Sequence, residues 1–151
     1  MNSISMLING EPTQSSNGAT FIRANPLDGC IATTAPAATP QDAIGAVEAA
    51  ATAFRSWSQT PPGERRALLL KAAHALEARA EEFAATMAAE TGASGLWAGF
   101  NVHLAAGMLV EAAALTTHIN GDLIPSDVPG SLAMATRQAA GVVLGIAPWN
   151  A

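Results

Sequence analysis

The first part of the chain alternates short β-like runs with turn sequences. The runs lie at Ser5–Asn9, Thr20–Arg23 and Cys30–Ala35, and Asn- and Gly-containing turns such as Asn9-Gly10 separate them. Runs of this length are too short to be stable alone and usually pair as hairpins. The pattern therefore predicts small hairpins that cover a larger unit.

Residues 39–57 have the periodicity of an amphipathic helix. Thr39 is a preferred N-cap residue, Pro40 suits the first helical position, and Asp42 favours the positive helix end. Apolar residues then recur every three or four positions. They are Ile44, Val47, Ala51, Phe54 and Trp57.

Two further helical patterns follow. One begins at Thr60-Pro61-Pro62 and ends at Thr91-Gly92, with a break expected near Ala80. The other runs from Ser94 to His118 as one long helix. Alanine is abundant in all of these segments, which favours helix formation and allows close packing between helices.

The period changes after the helices. Asp122–Ser126 is an extended segment, and Ser131–Gln138 alternates between two unlike faces, so an antiparallel hairpin is predicted. The unbroken apolar run Val142–Ala147 is typical of a strand buried on both faces of a parallel sheet. Pro148 should end that strand.

Composition narrows the class of protein. The chain has 151 residues, of which 50% are hydrophobic and 13% charged, as in a folded α/β or mostly helical protein. The net charge is −5 and no basic cluster exceeds Arg65-Arg66, which argues against nucleic acid as a partner. The single cysteine and the absence of a secretory signal pattern predict a cytoplasmic protein. The apolar run Val142–Ala147 is too short to cross a membrane, and no membrane partner is expected.

Few residues are candidates for chemistry. Cys30 follows a turn without a base nearby in sequence, and is interpreted as structural. None of the three histidines forms a metal-ligand spacing, so no metal site is predicted. By default, Trp97, Phe100 and Met108 are predicted to be core residues.

The remaining candidate is Asn150. Asn150 follows the predicted buried strand, and the carboxyl ends of such strands are where open α/β sheets bind ligands. A side-chain amide held there can donate a hydrogen bond to a developing oxyanion. The alternative is that Pro148-Trp149-Asn150 only forms the turn that ends the strand.

Several motifs, in this order and spacing, resemble the aldehyde dehydrogenase family. They are Met6–Gly10, Asn25–Gly29, Asp42–Ala50 with Phe54 and Trp57, Pro62–Leu70, Gly121–Ser126 and Ala147–Asn150. The segments Trp97–His103 and Pro125–Asp127 are similar to the branch that oxidises aromatic aldehydes: vanillin, benzaldehyde and salicylaldehyde dehydrogenases.

The resemblance implies the N-terminal, incomplete part of an α/β aldehyde dehydrogenase fold. Its parts would be small β-hairpins, several α-helices, an arm hairpin and the first strand of a Rossmann-like parallel sheet. Residues 1–121 would belong to the cofactor-binding domain, 122–140 would form the oligomerisation arm, and 141–151 would form the first, truncated strand of the dinucleotide-binding sheet. A homo-oligomer, dimer or tetramer, is the implied assembly of the full-length protein.

The resemblance also implies NAD- or NADP-dependent oxidation of an aldehyde to a carboxylic acid. Asn150 matches the family's oxyanion-hole asparagine, and Ile146, Ala147, Pro148 and Trp149 match the segment that lines the cofactor site. Trp97 and Phe100 lie on the helix that borders the substrate tunnel, where an aromatic wall suits an aryl aldehyde.

The family's nucleophilic Cys, its general-base Glu and its pyrophosphate-binding turn are expected beyond Ala151, so the 151 residues alone should be inactive. A self-standing helical interaction or assembly module, related to these enzymes, is the alternative interpretation.

Overall fold

The computed structural model describes residues 2–146. Strands and helices follow in the order β1–β5, α1–α4, β6 and β7. The strands are β1 Asn2–Ser3, β2 Met6–Ile8, β3 Glu11–Thr13, β4 Thr20–Ala24, β5 Ile31–Pro36, β6 Asp122–Ile124 and β7 Ala133–Ala135. The helices are α1 Pro40–Trp57, α2 Pro62–Glu77, α3 Ala80–Thr91 and α4 Gly95–Leu115, and α4 continues as a 3₁₀ turn, Thr116–His118.

The predicted N-terminal hairpins are present. β2 and β3 pair antiparallel through a two-residue loop, in which Asn9 has φ 55° and Gly10 has φ 79°. Positive φ at both positions defines the type I′ turn that Asn-Gly favours. β4 and β5 form a second antiparallel pair, and β1 joins β5 in parallel, so the sheet order is β1-β5-β4.

The N-terminus of α1 is held by a complete capping box. Thr39 Oγ1 accepts from the backbone N–H of Asp42, and the Asp42 carboxylate accepts from the N–H of Thr39 at 2.8 Å. The N–H of Ser16 also donates to this carboxylate. The hydrogen bond from Thr39 is the main reason that the pKa of Asp42 falls to about 2. The box therefore caps the helix and attaches the preceding turn to it.

We expect Thr39→Ala to lower the free energy of unfolding by about 1 kcal/mol, because the orphan N–H of Asp42 loses its acceptor. Urea unfolding followed by helical circular dichroism measures this change. Thr39→Ser keeps the hydroxyl and should stay close to wild type. Equal stability of the alanine and serine variants would contradict a capping role for Thr39.

Helix α4 packs against α2 and α3. The buried positions are mostly alanines, which let the helix axes approach closely. They are Ala73 on α2 and Ala98, Ala106 and Ala113 on α4, together with Val102 and Met87. Most of the buried apolar positions of the described residues therefore lie at the contact between these three helices, and Ala35 on β5 is buried as well.

The helix boundaries differ slightly from those predicted. α2 is preceded by Pro61 without a side-chain cap, so Thr60 does not start the helix. The expected break is found between Ala78 and Ala80, and Gly92 ends α3 in the left-handed conformation at φ 71°. The last predicted turn of the long helix, Thr116–His118, is 3₁₀ rather than α. Its hydrogen bonds span three residues instead of four, as is common at the ends of helices.

By length and composition, Gly95–His118 could cross a membrane. A core helix of a water-soluble domain passes the same test, and one such helix among the described residues is weak evidence for a span. One face of this helix is buried in protein, through Ala98, Val102, Ala106 and Ala113.

The hairpin predicted after the helices is also present. β6 and β7 pair antiparallel, with Leu123 opposite Met134. Ser131 Oγ donates to the backbone O of Val128 across the connecting loop at 2.7 Å. Both side chains of the Leu123–Met134 pair are largely exposed, so the hairpin projects from the helices.

The strand predicted at Val142–Ala147 is not formed over its described part. Residues 141–146 lie outside any helix or strand, and Val143, Leu144 and Ile146 are about four-fifths exposed. A strand needs a neighbour to hydrogen-bond, and the described residues supply none at this point. The prediction of burial was therefore wrong for this structure.

Candidate functional site

The outward face of α4 is the strongest candidate for a binding surface. Positions that follow Trp97 at helical spacing lie opposite the packed alanines. They form one apolar stripe along the helix: Trp97, Phe100, Leu104 and Met108. The exposed fraction is 42% for Trp97, 49% for Phe100 and 62% for Met108. The default prediction that these side chains pack in a core is therefore wrong for the described chain.

Trp97 and Phe100 form a stacked aromatic pair. Their ring centroids are 5.5 Å apart and the ring planes differ by 25°. Residues three apart share a helix face, which explains the contact. Ser94 fixes the helix start just before the pair, because its hydroxyl accepts from the N–H of Trp97. The result is a preformed, half-exposed aromatic surface of the kind that stacks on another flat ring.

Asn101 borders this surface and was not singled out by sequence. Its side-chain Nδ2 donates to the backbone O of Trp97 at 2.9 Å. The spacing i, i+4 from Trp97 could have identified it, since such positions are neighbours on a helix. Leu104 and Met108 extend the same face and follow from the same spacing.

The predicted cofactor and oxyanion residues lie mostly beyond the described part of the chain. Ala147, Pro148, Trp149 and Asn150 are outside residues 2–146. Ile146 is described, 83% exposed and outside any helix or strand.

The segment that leads to these residues lies against α1. Gly141, Val142 and Val143 face the last turns of α1 across an open groove of about 260 Å³. On the helix side, Ala50, Ala53, Phe54 and Trp57 line this groove. Ile44 and Val47, which belong to the predicted apolar stripe of α1, are about half exposed.

Titratable groups add no second site among residues 2–146. Cys30 is exposed after the Asn25–Gly29 turn, and all three histidines are exposed. This part of the chain holds no group of three acidic, His or Cys side chains that could bind a metal ion. A groove of about 660 Å³ between β1 and α3 contains the ion pair of Arg79 with Glu82.

Comparison with known proteins identifies the family of this chain. The model of the aldehyde dehydrogenase family matches residues 13–151, and the chain belongs to that family. Family members are enzymes that oxidise aldehydes, and the resemblance inferred from sequence is confirmed.

Among curated proteins, a vanillin dehydrogenase of Pseudomonas sp. is 58% identical over 148 residues, which are 98% of this chain and 31% of that protein. The chain therefore spans about a third of the length of this relative. The predicted resemblance to vanillin, benzaldehyde and salicylaldehyde dehydrogenases, indicated by Trp97–His103 and Pro125–Asp127, is confirmed by this similarity.

Solved structures share the fold. A salicylaldehyde dehydrogenase from Pseudomonas putida, complexed with salicylaldehyde, has a TM-score of 0.87 and 43% identity over 91% of this chain and 28% of that chain. A betaine aldehyde dehydrogenase from Staphylococcus aureus, in complex with NAD⁺, has a TM-score of 0.81 and 25% identity over 85% of this chain and 26% of its own. The α/β fold class is confirmed, and the family uses a nicotinamide cofactor.

Proposed function

We propose that this chain is the N-terminal part of a dehydrogenase that oxidises an aromatic aldehyde to its carboxylic acid with NAD⁺ or NADP⁺. The stacked pair of Trp97 and Phe100, preformed and half exposed on α4, is the observation that carries the substrate class. A planar aryl ring gains both apolar burial and ring-stacking energy on such a surface. Similarity to vanillin and salicylaldehyde dehydrogenases supports the same class.

The residues of this chain would bind and polarise the substrate rather than attack it. Trp97 and Phe100 hold the ring, and the Asn150 amide donates to the oxygen of the aldehyde as negative charge develops there. Loss of one such donor costs roughly 10²- to 10³-fold in rate in enzymes that use them. When bound, NAD⁺ or NADP⁺ supplies the hydride acceptor, and Ile146, Ala147, Pro148 and Trp149 would hold its nicotinamide end.

The attacking thiolate and the base for hydrolysis must come from elsewhere. Cys30 is exposed after a turn, and among the described residues no histidine or carboxylate hydrogen-bonds to its sulfur. A thiol without such a partner is a weak nucleophile at neutral pH. We propose that the nucleophilic Cys and the base Glu lie in polypeptide beyond Ala151. We also propose that the whole enzyme is a homo-oligomer, assembled in part through the β6–β7 hairpin, and that it is cytoplasmic.

We expect the purified 151-residue chain, given vanillin and either cofactor, to produce no reduced nicotinamide above background at 340 nm. A polypeptide extended by the downstream reading frame to the length of the relatives should produce it. Turnover by the short chain would contradict the assignment of essential groups to later residues.

The exposed apolar residues of α1 and of the β6–β7 hairpin favour a second candidate, a helical interaction or assembly module. A stop codon directly after Ala151, with a folded and monodisperse product in sedimentation, would support the module. An open frame that encodes a Gly-rich turn, a Glu and a Cys would support the dehydrogenase.

A further inference from the structure

The side-chain amide of Asn101 has one orientation. A backbone carbonyl oxygen can only accept, so the group that donates to the O of Trp97 at 2.9 Å must be the amide nitrogen, Nδ2. The amide oxygen, Oδ1, is therefore turned away from that carbonyl. Within residues 2–146, no N–H or O–H group donates to Oδ1.

The position of Asn101 places its side-chain amide beside the turn of α4 that carries Trp97 and Phe100. Four residues of α-helix separate Asn101 from Trp97, which corresponds to about 6 Å along the axis and about 40° around it. Asn101 is half-buried, between the exposed face and the packed face of α4. An acceptor held at the rim of an apolar surface fixes the orientation of a ligand, because the surface alone has no directional preference.

We infer that Asn101 is a specificity-determining residue, whose Oδ1 accepts a hydrogen bond from a ring hydroxyl of an aryl aldehyde bound against Trp97 and Phe100. The inference rests on the proposed function and adds to it a preference for hydroxylated rings. A methoxy group cannot donate, and an unsubstituted ring has nothing to offer the acceptor. Hydroxylated aldehydes should therefore bind more tightly than benzaldehyde or its methyl ethers.

Saturation-transfer NMR on the 151-residue chain tests this directly, with millimolar benzaldehyde, 4-hydroxybenzaldehyde, 2-hydroxybenzaldehyde and 4-methoxybenzaldehyde. At least one hydroxylated aldehyde should bind about three- to tenfold more tightly than benzaldehyde, the range that one neutral hydrogen bond provides. The 4-hydroxy and 2-hydroxy compounds show which ring position reaches Oδ1. The methoxy compound should bind like benzaldehyde.

Asn101→Leu keeps the branched shape of the side chain and removes the acceptor, so it should abolish the preference for hydroxylated aldehydes. His103→Leu, on an exposed position of the same helix, is the matched control and should keep the preference. Equal affinities for all four aldehydes on the wild-type chain would overturn the inference, whatever the variant does. So would an unchanged preference in Asn101→Leu.

Failure of the proposed function gives a different result. Trp97→Ala should reduce the binding of all four aldehydes, because it removes the larger ring of the surface. If no aldehyde binds in a way that depends on Trp97, the aromatic surface is not a substrate wall, and the proposed function loses the observation that carries it. If binding depends on Trp97 and not on Asn101, only the inference fails.

Discussion

Replacing Ala106 by leucine is expected to destabilise the helical core by about 1–3 kcal/mol. Ala106 is 1% exposed on the face of α4 that packs against α2 and α3, and Ala73 and Ala98 are fully buried in the same core. Closely packed helices have no room for three further carbons without shifts in backbone or rotamers, which carry a cost of this size. Domains of ordinary stability unfold at about 5–15 kcal/mol, so the loss would be a large fraction of the total.

Chemical unfolding followed by circular dichroism measures this loss. Ala105→Leu is the matched control, since residue 105 precedes Ala106 on the same helix and is exposed. It adds the same atoms with the same helix propensity, and its stability should stay within about 0.5 kcal/mol of wild type. If Ala106→Leu and Ala105→Leu have the same free energy of unfolding, close packing of α4 against α2 and α3 does not stabilise these helices.

The second large effect is expected at the base of the β6–β7 hairpin. A Cβ added at Gly121 would overlap the backbone O of Ala135, which is part of the strand that pairs with β6. Backbone cannot move aside as a flexible side chain does, so Gly121→Ala should separate the strands at that end. We expect the cross-strand NMR contacts between Leu123 and Met134 to be lost.

The helices should survive this change, because the hairpin is largely exposed and buries little against them. Helical circular dichroism at 222 nm should therefore stay near wild type. Gly107→Ala is the control: nothing lies within 4 Å of its added Cβ, and alanine in a helix interior is favoured over glycine by roughly 0.5–1 kcal/mol. Intact cross-strand contacts in Gly121→Ala would show that the close approach of Gly121 to Ala135 is not required.

The local elements were predictable because their causes are local. The Thr39-Pro40-Gln41-Asp42 sequence contains its own cap, and in the structure Thr39 and Asp42 form both hydrogen bonds of a capping box. Asn9-Gly10 and Gly92 likewise mark a turn and a helix end through their own backbone preferences. The antiparallel hairpin of β6 and β7 follows from an extended segment and an alternating segment that lie close together in sequence.

The strand predicted at Val142–Ala147 shows where local reasoning fails. An apolar run indicates that a segment is suited to burial, but burial depends on neighbours that are distant in sequence. In the described part, residues 141–143 line the groove beside α1, and residues 142–146 stay exposed. The same limit applies to α4. Apolar residues occur around the whole circumference of this helix, so periodicity could not distinguish its packed face from its exposed face.

In the candidate site, too, some features were predictable from sequence and others depend on the folded structure. The resemblance pointed to Trp97 and Phe100 by their residue types, while their stacking and half-exposure are properties of the folded helix. The role assigned to Asn101 depends on one hydrogen bond to Trp97, which sequence alone does not reveal. The assignments of Asn150 and of the cofactor segment remain predictions, as does the oligomerisation role of residues 122–140.

By itself, the sequence determined the cap of α1, the turns, the order of the hairpins and helices, and membership of the aldehyde dehydrogenase family. These depend on residues within a few positions of one another, or on motifs in a linear order. Only the tertiary structure decided which face of α4 packs and which stays open. That choice depends on residues distant in sequence, because the alanines of α2 and α4 come together only in the folded chain, where they let the helix axes approach closely.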